Sequence, residues 1–406
     1  MQDLQKSRWD IIALAIAAGI FGSMFIGKAP PSVPVLRAEL DLSLVQAGWV
    51  VSIFSAVGMS SGMVAGLFAD RLGHRRLLII GLLVLVTGGV LGSAVNGSVL
   101  MLMTRFIEGF GYIAVAVAAP SLILSSASPN DRRLALGMWG VYVPAGIAAA
   151  MLFSPLVLES YGWRTLWLVV SGLAAMLLTA IVLVKPSGMT APDSSPRQHS
   201  PFYHIRLTLT RPGPPVLALC FAVYALQWTS VMVWLPSFLI EQKSISLSGS
   251  AALTALVVAV NVPGNMLGGW LLHRRAQRWI LLAVTNAIVG LTVIGIFSEA
   301  LSDTARYALC LAFSGIGGIV PATLFSAGSV HAPSMRQLGL TNGLLMQGSH
   351  TGNFIGPPVI AAVVASTGLW QGTFWILFAC SVAGVLLGAV IGVIEKYGAR
   401  NEGVTG

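Results

Sequence analysis

The chain has 406 residues, of which 56% are hydrophobic and 9% are charged, and its formal net charge is +9. An ordinary globular chain is about 45–50% apolar and about 25% charged, so this composition excludes a soluble globular protein and predicts a membrane protein. An excess of basic residues on a soluble surface would suggest a nucleic-acid partner. Here the basic residues can be assigned to loops between membrane segments, so we expect no nucleic-acid partner.

Twelve apolar segments of about 20 or more residues follow one another, each long enough to cross about 30 Å of hydrocarbon as a helix. None shows the ten-residue alternation of a lipid-facing β-barrel strand. The sequence therefore predicts an all-α integral membrane protein with twelve transmembrane helices. The segments are 11–35, 44–67, 76–94, 99–124, 135–158, 164–184, 215–240, 248–272, 279–297, 306–329, 339–366 and 370–394.

The distribution of basic residues predicts the topology. Of the 23 Lys and Arg, seventeen fall at the termini or in the even-numbered loops, and four fall on the other side. The positive-inside rule then places both termini in the cytoplasm, in a multi-pass protein of a bacterial cytoplasmic (inner) membrane. Two basic residues, Lys28 and Arg105, remain inside apolar segments.

Helix one carries Lys28, followed by Pro30 and Pro31. A charge in hydrocarbon costs at least about 2.5–3.5 kcal/mol on insertion scales, so the lysine needs a partner. The proline pair predicts a break in the helix that frees carbonyl groups within a turn of Lys28. Lys28 could therefore bind a negatively charged substrate, bond to these carbonyls, or extend its charge along its stem to the membrane surface.

The stretch 66–76, GLFADRLGHRR, follows helix two. Gly66 lets another helix approach closely, and Asp70 places a carboxylate where it could face a helix N-terminus or a basic partner. The stretch resembles the signature of the major facilitator superfamily, which is a glycine, three residues, Asp-Arg, one residue, a glycine and a basic cluster between helices two and three.

This resemblance covers the whole chain, and it implies a charge latch between two halves of the protein, with Arg75 reaching an acid beyond helix four, for which Asp131 is the candidate. The gating residues that it implies are Gly66, Asp70, Arg71, Gly73, Arg75, Arg76 and Asp131. The alternative is that these charges only set the topology. The second half has His273 in place of the aspartate, which argues against a symmetric second latch.

Helix four contains RFIEGFG, residues 105–111, which resembles the second motif of the same family, an arginine followed by Gly-x-Gly. The resemblance implies that helices one and four line a central cavity. At 1.5 Å per residue, both Lys28 and Arg105 lie within about 10 Å of the midpoints of their helices, on the outer side, so together they could hold an anion. Glu108 is one turn from Arg105, where it could neutralise the arginine or carry a coupling proton.

Helix five lacks the Gly-Pro-x-x-Gly-Gly pattern of the family's proton-driven antiporters, which makes antiport less favoured. Helix eleven instead contains GSHTGNFIGPP, with Gly348, Gly352 and Gly356 four residues apart. Small residues at this spacing predict close packing against another helix.

Residues 185–214, rich in Pro, Ser and basic groups, are predicted to form a cytoplasmic linker between an N-terminal six-helix bundle, 1–184, and a C-terminal one, 215–406. The pattern Gly66-x-x-x-Asp70-Arg71 returns 203 residues later as Gly269-x-x-x-His273-Arg274. Paired six-helix repeats indicate a transporter with its substrate site near the midplane. The stretch 234–251, WLPSFLIEQKSISLSGSA, resembles the branch of cyanate and nitroimidazole permeases.

Further candidate substrate contacts are polar or aromatic residues on the helices expected to line the cavity, although packing and interhelical hydrogen bonds are the usual alternative. His350 could also carry a proton. These candidates are Tyr142, Tyr224, Gln227, Trp228, Asn261, Asn265, Gln347, His350 and Asn353.

No phosphate-binding Gly-x-x-x-x-Gly-Lys-Ser/Thr motif occurs, so transport energy should come from a gradient. The sequence predicts a secondary transporter that moves a small anionic solute by alternating access, with protons as a candidate coupling ion. We expect a monomer with no metal and no cofactor, and no enzyme, since no nucleophile–base pair or metal cluster stands out. The alternatives are a drug or metabolite efflux pump of the same fold and a transporter-like sensor.

Overall fold

The apolar segments form helices. The computed structural model describes residues 7–184, 201–334 and 337–402, and every regular element in these ranges is helical; for residues 64–71, 133, 201 and 398–402 it describes the helix but not the side chains. The α-helices are α1 Trp9–Gly27, α2 Ala29–Glu39, α3 Leu44–Ser52, α4 Ala56–Leu72, α5 His74–Ser93, α6 Ser98–Ser126, α7 Arg132–Trp139, α8 Tyr142–Leu183, α9 Pro201–Thr210, α10 Gly213–Lys243, α11 Leu247–Ala259, α12 Asn261–His273, α13 Arg278–Ile296, α14 Asp303–Gly317, α15 Ile319–His331, α16 Leu338–Thr367 and α17 Phe374–Glu402.

These helices account for twelve crossings. Within the described ranges, ten stretches are long and apolar enough to span a membrane. One of them, Leu134–Leu183, is 50 residues long and bends at Gly162, where φ is 74°, so it makes two crossings. Helix α16, which is not among these ten stretches, has 30 residues and is long enough to make the twelfth crossing. The predicted all-α integral membrane fold with twelve transmembrane helices is confirmed.

Several crossings consist of two helices joined at a break. Helix α1 ends at Gly27 and α2 begins at Ala29, so the break falls on Lys28, as the prolines predict. Pro30 and Pro31 lie in the first turn of α2, where the missing N–H groups would have no intrahelical partner. The carbonyl of Lys28 accepts a hydrogen bond of 2.7 Å from Ser32 Oγ.

Helix α6 packs against α1 and α5, and α8 packs against both of these helices as well. Trp163 and Trp167 of α8 are fully buried in this group. Their rings meet edge to face with centroids 5.5 Å apart. These four helices hold the charged residues that the sequence places in the membrane.

Helix α16 packs closely on α10, as the glycine spacing predicts. A Cβ atom on Gly348 would lie 2.0 Å from the carbonyl oxygen of Ala218, and one on Gly352 would lie 2.1 Å from that of Ala222. Both obstacles are backbone atoms of α10, which cannot move aside. The prediction of close helix packing is therefore confirmed.

The chain divides into two compact units, one of Met1–Val57, Ala65–Pro196 and Trp234–Ala255, and one of Gly58–Val64, Arg197–Val233 and Leu256–Gly406. Each unit contains helices from both parts of the sequence. The boundaries 1–184, 185–214 and 215–406 remain a prediction.

Candidate functional site

Lys28, Arg105 and Glu108 form a buried cluster, called here the charged triad. Lys28 lies at the break between α1 and α2, while Arg105 and Glu108 are one turn apart on α6. Lys28 Nζ lies 2.8 Å from Glu108 Oε1, and Arg105 Nη1 donates to Glu108 Oε2. All three side chains are 0% exposed. Glu108 therefore bridges two cations that come from two different crossings.

Aromatic rings surround both cations of the triad. Lys28 Nζ lies 4.2 Å from the centroid of the Phe25 ring and 4.4 Å from that of the Trp167 ring. Arg105 Cζ lies 4.8 Å from the centroid of the Phe54 ring. Each such contact stabilises a desolvated cation by about 0.5–2 kcal/mol. The rings thus offset part of the cost of burying these charges.

The guanidinium of Arg105 also binds the backbone. Its Nη1 donates to the carbonyl of Phe25 at 2.8 Å, and its Nε donates to the carbonyl of Val50 at 3.2 Å. Its Nη2 is buried and has no hydrogen-bond partner in the part of the chain that the structure describes. Since buried donors are nearly always satisfied, this nitrogen marks a place where a further acceptor could bind.

Helix α5 closes one side of the triad through two glycines. A Cβ atom on Gly88 would lie 3.0 Å from Glu108 Cγ, and one on Gly89 would lie 2.1 Å from Ser171 Oγ. A larger residue at either position would push α5 away from α6 or from α8. The glycine pair therefore keeps the carboxylate enclosed.

The triad contains two cations and one carboxylate. With all three groups charged, it carries one net positive charge. Among the residues whose side chains the structure describes, these three are the buried Asp, Glu, Lys and Arg. A site with excess positive charge favours an anion as an additional ligand.

The structure brings Lys28 and Arg105 together, as their similar depth predicts, and a role for them in binding substrate remains a prediction. The alternative in which Lys28 extends to the membrane surface is wrong, because Nζ is held by Glu108. Sequence reasoning paired Glu108 with Arg105 alone, and it missed the bond to Lys28 across 80 residues. It also missed the rings around the cations, although Phe25 lies one turn before Lys28 and could have been found by that spacing.

A second group of predicted residues forms a polar cluster around α12. Asn261 Nδ2 donates to the hydroxyl of Tyr224 at 3.0 Å and to the carbonyl of Ser314 at 2.9 Å. Trp228 Nε1 donates to Ser314 Oγ at 3.0 Å, and Asn265 Nδ2 donates to Asn261 Oδ1 at 2.9 Å. Four of the predicted residues therefore come together, joined by Ser314, which sequence reasoning missed.

The remaining predicted residues lie apart from this cluster. Gln227 Oε1 accepts from Ser381 Oγ at 3.0 Å, on α17, and Asn353 Oδ1 accepts from Thr229 Oγ1 at 2.5 Å. Tyr142 stacks on Trp139 with ring centroids 3.9 Å apart. These contacts are the interhelical bonds and packing that were the alternative to substrate contact.

Gln347 and His350 of α16 both face α4. Gln347 Nε2 donates to the carbonyl of Met59 at 3.0 Å. The ring of His350 lies against Gly58, since a Cβ atom added to Gly58 would be 2.3 Å from His350 Cδ2. Both side chains therefore sit in a close crossing between α4 and α16.

Comparisons with known proteins identify the family. The sequence profile of the Major Facilitator Superfamily matches residues 12–337. The chain belongs to this superfamily. A protein assigned as a putative niacin/nicotinamide transporter of Bacillus subtilis (strain 168) is 24% identical over an alignment of 379 residues, and the match covers 88% of this chain and 92% of that protein. A hexuronate transporter of the same strain is 22% identical over an alignment of 386 residues, and the match covers 91% of each chain.

Solved structures show the same fold. A bacterial homologue of the human lysosomal transporter Spinster, in an inward-facing and unoccupied conformation, superposes with a TM-score of 0.77 at 18% identity, and the match covers 98% of each chain. The chain thus has the major facilitator fold of twelve transmembrane helices in two six-helix halves. The family and the fold are those of membrane transporters.

The major facilitator motif between α4 and α5 is described in part. Gly73 has a φ of 80°, a conformation that favours glycine, and this explains the second glycine of the motif. Arg76 is exposed. The side chains of Gly66, Asp70 and Arg71 lie outside the residues whose side chains the structure describes, so their gating role remains a prediction.

The predicted contact between Arg75 and Asp131 is not the one observed. Arg75 Nη2 donates to the carbonyls of Ile181 and Val184 at 2.8 Å each, at the end of α8, where unpaired helix carbonyls attract a cation. Asp131 instead accepts hydrogen bonds from Ser7 Oγ and Ser128 Oγ. These two bonds hold the pKa of the Asp131 carboxyl below its usual range.

Proposed function

We propose that this superfamily member is a secondary active transporter that moves a small anion together with a proton by alternating access. The charged triad carries the proposal, because two buried cations share one carboxylate and Arg105 Nη2 has no partner among the described residues. Lys28 and Arg105 bind the anion, and Glu108 carries the proton. The positive-inside pattern supports a cytoplasmic membrane with both termini in the cytoplasm.

Protonation of Glu108 links the two ligands. A neutral Glu108 leaves Lys28 and Arg105 without a counter-charge and raises the net charge of the triad from one to two. Bound anion then compensates the added charge, so the proton and the anion favour each other's binding. This coupling is reciprocal by thermodynamic linkage, and it makes symport the favoured mode.

The relatives support a solute of this chemistry. A hexuronate is a carboxylate, and the relative that carries this name matches 91% of the chain. Efflux of lipophilic cations is less well supported, since such cargo favours an unpaired carboxylate, while Glu108 is held between two cations. Transport of a small organic anion is therefore the function that the site supports best.

Uptake by proteoliposomes tests the proposal, with ¹⁴C-labelled glucuronate and nicotinate as probes and an inward proton gradient as the driving force. We expect the wild-type protein to accumulate one of these anions. Glu108→Gln should lose accumulation and keep counterflow exchange, because a neutral side chain imitates the protonated state. Glu159→Gln, at an exposed position on α8, is the matched control and should transport normally.

Two results would contradict the proposal. Accumulation by Glu108→Gln that still follows the proton gradient would exclude Glu108 as the coupling group. Failure of both anions to enter, with expulsion of a lipophilic cation in the same vesicles, would favour efflux instead.

A further inference from the structure

The short helix α9 precedes α10 and carries an exposed apolar side. Phe202 is 83% exposed and Leu209 is 47% exposed, and Arg206 between them is also exposed. At 100° per residue, the exposed positions of α9 lie within an arc of about 120°. These positions are Phe202, Tyr203, Arg206, Leu209 and Thr210. They form one continuous face, called here the α9 face.

The opposite side of α9 is fixed to the protein. His204 Nδ1 lies 2.9 Å from Gln337 Nε2, just before α16, and Thr208 is fully buried. Helix α9 is therefore oriented by contacts on its buried side. The outward direction of Phe202 and Leu209 follows from that docking.

The position of α9 places its face near the membrane boundary. Thr210 ends the helix three residues before Gly213, where a membrane-spanning helix begins. Three residues reach at most about 11 Å, so the end of α9 lies within that distance of the start of α10. An aromatic ring, a leucine and an arginine on one face at this depth suit the membrane interface, where aromatic rings sit at the headgroup level and an arginine reaches the phosphates along its apolar stem.

We propose that the α9 face lies on the inner surface of the membrane and binds anionic phospholipid. Phe202 and Leu209 insert between the acyl chains, and Arg206 and Arg211 bind the lipid phosphates. The exposed arginines supply charge complementary to an anionic leaflet, and the predicted topology puts this linker on the cytoplasmic side. The inference concerns a surface away from the charged triad, and it holds whichever solute the protein carries.

Spin labels measure the depth of this face. Single cysteines at Phe202→Cys and Leu209→Cys are labelled with a nitroxide in a protein whose native cysteines, Cys220, Cys310 and Cys380, are replaced by alanine. Asn130→Cys, in an exposed turn after α6, is the control. The proteins are placed in vesicles of phosphatidylcholine alone or with one quarter phosphatidylglycerol, and collisions with oxygen and with a water-soluble nickel complex are compared.

In vesicles with phosphatidylglycerol, we expect the labels at 202 and 209 to collide with the nickel complex several-fold less often than the label at 130 does. The same two labels should collide with oxygen more often than the label at 130. Arg206→Gln with Arg211→Gln should remove the difference between the two vesicle types. Labels at 202 and 209 that behave like the label at 130, or that are shielded from both reagents by protein, would overturn the proposal. Equal depth in both vesicle types would overturn the role of the two arginines.

Discussion

The environment of Lys28 determines what a substitution there can do. Its ammonium group contacts one carboxylate and two aromatic rings, and it has no exposure to solvent. Without Lys28, Glu108 still has Arg105 as a partner, and the buried pair becomes neutral overall. Removal of the lysine therefore removes the excess positive charge without leaving a lone charge.

Lys28→Met should keep the fold and lose at least about tenfold in anion affinity, which corresponds to about 1.4 kcal/mol. Lys28→Arg keeps the charge and should retain part of the binding, since a guanidinium is larger than the ammonium group that fits between Phe25 and Trp167. Scintillation proximity binding of labelled glucuronate or nicotinate, whichever the wild type binds, measures both affinities. Lys243→Met, at the end of α10, is the control.

A purely structural lysine gives a different pattern. Both Lys28 variants would then lower the melting temperature and leave the affinity of the surviving protein at the wild-type value. Wild-type affinity in Lys28→Met would therefore contradict the anion-binding role.

Part of the triad can be predicted from the sequence. The i, i+3 spacing shows that Arg105 and Glu108 share a turn, and the cost of burial shows that Lys28 needs a partner. The bond between Lys28 and Glu108 has no local signal, because it depends on how α1 packs against α6. Nor could the sequence show that Arg105 also binds two backbone carbonyls, since those of Phe25 and Val50 come within its reach only when α1 and α3 pack against α6.

At the level of helices, glycine positions determine how closely two crossings can pack. Gly352 of α16 faces the backbone of α10, and a Cβ atom added to it would lie within 2.6 Å of both Ala222 O and Leu226 N. A Cβ atom added to Gly172 of α8 would have no neighbour within 4 Å. The two glycines are both helical, and they differ in what a methyl group would meet.

Gly352→Ala should destabilise the protein by about 1–3 kcal/mol, because the added methyl group forces α16 away from α10. Gly172→Ala should be neutral or should stabilise by about 0.4–1 kcal/mol, since it restricts the unfolded chain and meets no obstacle. Thermal unfolding of both variants in the same detergent gives the comparison. Equal melting temperatures would contradict the close contact between α16 and α10.

The sequence predicts these helices better than their contacts. Apolar length gives the crossings, and glycine spacing gives the face of α16 that packs closely. The break at Val260, between α11 and α12, precedes Pro263 in the first turn of α12. The contact of Arg75 was predicted wrongly, because the carbonyls at the end of α8 are a set of acceptors that no side-chain motif reveals.

At the scale of the whole molecule, alternating access requires some contacts to break in each cycle. Arg37 at the end of α2 lies 3.2 Å from Glu241 at the end of α10, across 204 residues of sequence. Both side chains are partly exposed. The predicted topology puts this pair on the extracytoplasmic side, where its separation would accompany entry of solute from outside.

Arg37→Ala should increase the population in which the ends of α2 and α10 are apart, by up to about fivefold, because an exposed ion pair is worth about 0.2–1 kcal/mol. Pulsed electron resonance between spin labels at Ala38→Cys and Gln242→Cys measures this distance. The exchanged pair Arg37→Glu with Glu241→Arg should restore the original distribution. Identical distributions in all variants would show that the pair does not bias access.

The excess charge of the triad has a consequence for the energetics of the cycle. The membrane potential acts on a buried charge with about 2.3 kcal/mol per 100 mV when the charge crosses the whole field. The empty triad carries one positive charge, and addition of a proton and a monovalent anion leaves that sum unchanged. In the proposed symport, the electrical work done on the loaded carrier is returned by the empty carrier, so uptake of a monoanion would draw on the chemical gradient of protons and would be independent of voltage.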